Sequence, residues 1–228
     1  YNQAKQIIVS CSDITAQEQQ QQAIRHIASG VASSKSVDFY NYLIINLAKL
    51  FNAKYGFIGF IDSHDARIIK TCSVVCDGHI INNFNYDLPN SPCVHLSQCD
   101  VCNFPERVQS LFPNDLLIKN MDIESYICTT IKDGQGNAKG LIALMHTERM
   151  HDDSQLRDIL DIFSARAGAE MQRNQAQEEI RKMAFEDSLT HLPNRALMLA
   201  HLDKKITQLQ AKDELSLLIV MDLDHFKT

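Results

Sequence analysis

The stretch YICTTIKDGQGNAKGLIALMH, residues 126–146, decides the fold class of this chain. Tyr126 to Ile131 is rich in β-branched and aromatic side chains, which suit a pleated surface. It runs into Asp133-Gly134-Gln135-Gly136-Asn137, residues that tolerate positive φ, and an apolar run resumes from Gly140 to His146. The pattern predicts an antiparallel hairpin.

Outward toward the N-terminus, Phe57, Ile58, Phe60 and Ile61 form another β-prone run from Tyr55, stopped by the turn-rich Asp62-Ser63-His64-Asp65. Arg67 to Val75 reads as its returning strand. From Ser36 to about Asn52, Phe39, Leu43, Leu47 and Leu50 recur every three or four residues and predict an amphipathic helix. Thr15 to Glu18 has capping-box spacing, and Ile24, Ile27, Ala28 and Val31 predict a first helix with Gln19 to Gln22 on its solvated face. Helices followed by antiparallel strands imply an α+β domain. The proline-rich stretch Asn82 to Glu124 reads as loops with short helices, a kind of connection that often carries ligand sites.

Outward toward the C-terminus, the cap cluster Asp152-Asp153-Ser154 opens a run to Phe185 broken by no proline and by one glycine, Gly168. A helix of roughly thirty residues is expected. Ile159, Ile162, Ala169, Ala176, Ile180 and Met183 fit a heptad seam that Arg166 and Arg173 interrupt. Leu156 to Phe163 reads equally as a terminal amphipathic helix packed on its own domain, whereas the polar face beyond Gly168 reads as a linker. Leu199, Leu202, Ile206 and Leu209 then mark one more helix, and Leu215 to Met221 a strand. A lone strand leaves both edges unpaired, so this tail is expected to be poorly packed or paired with a neighbouring molecule.

With 228 residues, 45% of them hydrophobic, the chain has material for one full domain and part of another. Tyr1 and Thr228 read as the limits of a piece. The apolar runs fall far short of the ~18 residues of a membrane-spanning helix, which predicts a soluble segment with no membrane span. The net charge of -6 is spread along the sequence without a Lys/Arg cluster, against nucleic-acid binding. Seven cysteines at irregular spacing, with no visible signal peptide, argue against a secreted disulfide framework and for a reducing cytoplasm.

From about Ala16 to Gln175 the chain resembles a GAF sensory domain, on Ser91-Pro92-Cys93, Asn103-Phe104-Pro105, Leu111-Phe112-Pro113-Asn114-Asp115, Glu124-Ser125-Tyr126 and the Asp133 to Gly140 turn. Asp187-Ser188-Leu189-Thr190-His191-Leu192-Pro193-Asn194-Arg195 resembles the opening motif of GGDEF (diguanylate cyclase) domains, with His191 where glycine is usual. Leu217 to Met221 followed by Asp222-Leu223-Asp224-His225-Phe226-Lys227 resembles that family's first strand and metal loop.

The resemblance implies an extension over residues 1–14 and a GAF fold, an antiparallel sheet flanked by helices, over 15–151. A linker helix over 152–185 and an incomplete GGDEF segment over 186–228 would follow. It further implies Mg²⁺ held by the Asp222 carboxylate and the Leu223 carbonyl, backbone amides of His225 and Phe226 near phosphates, and Lys227 on the triphosphate. The reaction would join two GTP into cyclic di-GMP in a homodimer formed through GAF and linker helices. The Gly-Gly-Asp/Glu-Glu-Phe signature would lie beyond Thr228, so the segment is expected to be catalytically incomplete. Alternatives are a degenerate GTP-binding domain regulating a cyclic-di-GMP phosphodiesterase, a use His191 mildly favours, and a GAF domain acting mainly in dimerisation.

For the sensory pocket, Cys93, His95, Cys99 and Cys102 lie close together, and Cys99-Asp100-Val101-Cys102 has the CxxC spacing of zinc and redox sites. A metal site, a reversible thiol switch and plain apolar packing are the three readings. Tyr126 and His146 complete the pocket candidates for a small ligand of unknown identity, although a strand-end histidine is usually structural. The wider pattern of bilin-binding GAF domains is absent. Cys72, Cys76 and Cys128 read as small core fillers, and Cys11 as preceding the first helix.

Overall fold

The computed structural model describes residues 36–94, 101–150, 154–212 and 215–221. The expected first helix and Cys11 lie outside them. Helix α1 (Ser36–Leu50) buries Phe39, Tyr40, Leu43, Ile44 and Leu47 at helical spacing and is followed by Asn52 at a φ of 48°. The strands are β1 (Tyr55–Ile61), β2 (Ile68–Cys76), β3 (His79–Ile81), β4 (Asn85–Asp87) and β5 (Val101–Phe104). Short helices α2 (Val108–Leu111) and α3 (Leu116–Asn120) precede β6 (Ser125–Lys132) and β7 (Ala138–His146).

The sheet runs β3-β2-β1-β7-β6-β5, with β4 also on β2, and all its pairings are antiparallel. Both expected hairpins form. In β6–β7, Tyr126 faces Met145 and Cys128 faces Ala143, while the Asp133 carboxylate accepts backbone N–H bonds from Gln135 and Asn137 at 2.9 Å each to shape the turn. The strands β4 and β5 lie in the Asn82 to Glu124 stretch that the sequence pattern suggested as loops, and β3 lies just before it. They have only three or four residues each, too short for an alternation to show.

Both sheet faces are covered, which explains why Leu141 to Met145 is continuously apolar instead of alternating. One face packs Ile58, Val75, Ile127, Ile142 and Leu144 against α1 and the long helix α4 (Ser154–Phe185). The other presents Phe57, Ile69, Tyr126, Cys128 and Ala143 beneath the Asn82 to Glu124 segment. Successive residues of β6 thus serve different cores, as the period of two requires.

Helix α4 has 32 residues, in agreement with the sequence expectation. Its N-terminal half seats Leu160, Phe163 and Ala167 on the sheet, each worth up to ~2 kcal/mol of burial for the larger side chains. Gly168 is required where α4 crosses the end of β6, because a Cβ there would strike the Lys132 carbonyl oxygen. Ile159 departs from the expected seam: it is buried in this core. Ile162, Ala169, Ala176, Ile180 and Met183 are exposed along the helix.

By contact density the chain divides into two compact units, Tyr1–Gln172 and Arg173–Thr228. In the second, helix α5 (Arg195–Lys212) is capped by Asn194, whose side-chain oxygen accepts from Leu197 N–H at 3.1 Å. The strand expected at Leu215 to Met221 is not formed: residues 215–221 are irregular and their side chains exposed. An apolar run becomes a strand only when a neighbouring strand satisfies its N–H and C=O groups.

Candidate functional site

The Ser91 hydroxyl donates to the Leu88 carbonyl at 2.8 Å and accepts from Cys93 N–H at 3.1 Å, and this turn delivers Cys93 beneath the loop segment to the sheet. The Cys93 thiol meets Cys128 Sγ at 2.7 Å and the Tyr126 hydroxyl at 3.3 Å. Cys102 stands opposite Cys128 in the β5–β6 register and also hydrogen-bonds to it. Beside them the Tyr86 hydroxyl donates to Asp115 Oδ2 at 2.6 Å. Asp115 Oδ1 caps α3 by accepting from Leu117 and Ile118 N–H at 2.9 and 3.1 Å.

Burial pushes both phenols, Tyr86 and Tyr126, well above their ordinary range. The Cys128 thiol is likewise raised, first by its hydrogen bond with Cys102, then by that with Cys93 and by burial. These groups are therefore protonated at neutral pH, which suits hydrogen-bonding recognition.

At the rim of this cluster a cleft of about 310 Å³ is lined by Asn85, Tyr86, Asp87, Asn114, Asp115 and Asn120 among others. Tyr86 and Asp115 belong to both, so the cleft opens directly onto the buried hydrogen-bond network.

Of the pocket residues read from sequence, the structure brings together Cys93, Cys102 and Tyr126. His95 and Cys99 lie outside the described residues, and among the described residues no cluster of metal-ligating side chains forms. His146 is elsewhere: one residue past Met145, it points away from the Tyr126 face, and its Nδ1 accepts from Glu148 N–H at 2.9 Å to close the turn after β7. Cys128, read as a core filler, is buried in the core as expected and is also the centre of the thiol cluster. Its place two residues after Tyr126 on one strand carried that signal, because i and i+2 share a face.

Burial pushes the Cys72 thiol up to about 12, consistent with core filling. Asp222, Leu223, His225, Phe226 and Lys227 fall outside the described residues. The motif before them is described. Asp187 Oδ1 accepts from Leu189 N–H, Thr190 N–H and the Thr190 hydroxyl at 3.1, 2.9 and 2.9 Å, and the bonds from Thr190 chiefly hold its carboxyl below the usual range. The Asn194 amide also donates to the Ala184 carbonyl at 2.9 Å, tying the turn back to α4. His191 sits at a φ of 57°, a left-handed conformation that glycine adopts freely and histidine more readily than most residues.

Residues 184–228 match the family described as "Diguanylate cyclase, GGDEF domain". A relative among curated proteins, the diguanylate cyclase DgcP of Escherichia coli (strain K12), is 22% identical over 156 residues, covering 65% of this chain and 46% of that protein. The chain thus spans about half of that relative's length. Among solved structures, the GAF domain of an Acinetobacter phosphoenolpyruvate-protein phosphotransferase superposes with a TM-score of 0.54 at 10% identity, over 69% of this chain and 95% of that one. The bacteriophytochrome RpBphP3 from R. palustris gives 0.56 at 9% identity, over 76% and 40%. The chain therefore carries a GAF-like fold followed by a segment similar to GGDEF domains.

Proposed function

We propose that the full-length protein is a homodimeric diguanylate cyclase in which the GAF domain, residues 15–151, regulates a GGDEF domain beginning at residue 186 through the helix at 152–185. The observation that carries this reading is the GGDEF match at residues 184–228 directly behind a GAF fold. The continuous helix α4 supports it, because a single element runs from the GAF fold to the GGDEF opening motif.

The reaction joins two GTP molecules, so it needs two cyclase domains face to face, and a homodimer supplies that proximity. The exposed, seven-spaced stripe of Ile162, Ala169, Ala176 and Met183 supports such pairing along α4. The polar cleft beside Tyr86 and Asp115 supports a small hydrogen-bonding ligand as the signal, over a purely dimerising role.

A carboxylate on Asp222 and the carbonyl of Leu223 are hard oxygen donors of the kind Mg²⁺ takes. When bound, Mg²⁺ supplies charge neutralisation for phosphoryl transfer. Lys227 would pair with the triphosphate, and the amides of His225 and Phe226 would hold its oxygens. Incubating the full-length protein with GTP and Mg²⁺ tests the proposal. Cyclic di-GMP should form and should vanish in Asp222→Ala. GTP binding without turnover would instead favour the degenerate, regulatory use of the domain, for which His191 in the glycine position speaks.

A further inference from the structure

Cys93 and Cys128 are 35 residues apart in sequence yet place their sulfurs 2.7 Å apart, and both are free thiols with exposures of 0% and 1%. A disulfide requires its sulfurs at about 2.05 Å, so bond formation asks for well under an ångström of further approach. Cys93 belongs to the short turn anchored by Ser91, and the next residue, Val94, is exposed. Cys128 belongs to a central strand with neighbours on both sides. One partner is thus held on a surface turn and the other is fixed in the sheet.

We propose that Cys93 and Cys128 form a peroxide-oxidisable dithiol that closes into an intramolecular disulfide inside the sensory domain. Hydrogen peroxide is small and neutral enough to enter where a bulky disulfide or alkylating reagent is excluded. The Cys93 sulfur attacks one peroxide oxygen; the O–O bond breaks, the departing hydroxide takes up the Cys93 proton and leaves as water, and Cys93 becomes a sulfenic acid. The Cys128 sulfur then attacks Cys93 Sγ, the S–O bond breaks, and a second water leaves with the Cys128 proton. In sum, two thiols and one peroxide give one disulfide and two waters, with both sulfurs oxidised and the peroxide oxygens reduced.

The bonds to Cys102 and Cys93 favour the protonated Cys128 thiol, so its proton leaves as its sulfur attacks. Closure removes the thiol that bonds to the Tyr126 hydroxyl, two side chains from the cleft-lining Tyr86. The chemistry stands apart from the nucleotide reading above. Any effect on cyclase output rests on that reading.

The test is made on the whole chain in its folded form: hydrogen peroxide, removal by catalase, unfolding, alkylation with N-ethylmaleimide, and peptide mapping without reductant. The expected result is loss of two of the seven alkylatable thiols and one cross-linked peptide pair joining Cys93 to Cys128, reversed by dithiothreitol. Cys93→Ser and Cys128→Ser should abolish the cross-link, and Cys102→Ser should retain it. Seven alkylated thiols, a linkage through Cys99 or Cys102, or only irreversible sulfinic and sulfonic acids would overturn the proposal. The map of the unsubstituted chain decides it even if a serine variant fails to fold. Unchanged cyclase activity on closure would count against the signalling link alone.

Discussion

Replacing Gly168 with alanine sets two physical effects of opposite sign against each other. On helix propensity alone the change is favourable, since alanine exceeds glycine by about 1 kcal/mol in a helix interior. At this position, however, the added methyl meets the Lys132 carbonyl oxygen and lies 3.6 Å from Ile131 Cγ2. Neither neighbour is a flexible side-chain tip: one is backbone and the other a buried methyl, and both belong to the end of β6 that pairs with β7. The helix must therefore move, which loosens Leu160, Phe163 and Ala167 on the sheet. Overpacking of this kind costs about 1–3 kcal/mol, so after the propensity gain of about 1 kcal/mol the net loss should be about 0–2 kcal/mol. For a domain of this size each kcal/mol corresponds to roughly 2–4 °C in Tm, a drop of up to about 8 °C. Urea and thermal unfolding followed by circular dichroism would measure it. A variant more stable than the parent by the full propensity gain of about 1 kcal/mol would refute the seating of α4 on the end of β6.

Asp115→Ala removes both the α3 cap and the acceptor of the buried Tyr86 hydroxyl; a loss of about 2–4 kcal/mol is expected in urea titration, with Tyr86→Phe costing less because the cap survives. Asp62 is held at about 2 by its hydrogen bond with Lys70. A depressed carboxyl contributes stability that is present above the usual carboxylate pKa and is lost as pH falls through about 2. Asp62→Asn should therefore flatten the fall in stability between about pH 4 and pH 2, and an unchanged pH slope would count against the ion pair. Placing glutamates at Ala169 and Ala176 should lower the dimer fraction in sedimentation velocity while leaving the far-UV spectrum intact, and a parent chain that is already monomeric would remove the basis for pairing along α4.

What the sequence by itself determined were features written in local periodicity and in short motifs. The helix from Ser36 shows its stripe of Phe39, Leu43 and Leu47, the hairpins show their turn residues, and the long run to Phe185 lacks breakers. The motif from Asp187 to Arg195 was also legible, because its carboxylate and amide bond mostly to their own neighbours.

Only the tertiary structure decided which residues meet from afar. Cys93 and Cys128 come together because an Asx-rich, proline-rich segment folds back over one sheet face, and no local pattern encodes that return. Ile159 and Ile162 look alike in a heptad reading, yet one is buried in the sheet core and the other is exposed. Gly168 appeared in the sequence as a flaw in a helix and became, with the strand end beneath it, the condition for close packing. Leu215 to Met221 marks the same limit from the other side: strand propensity is local, but a strand is made by its neighbours' hydrogen bonds.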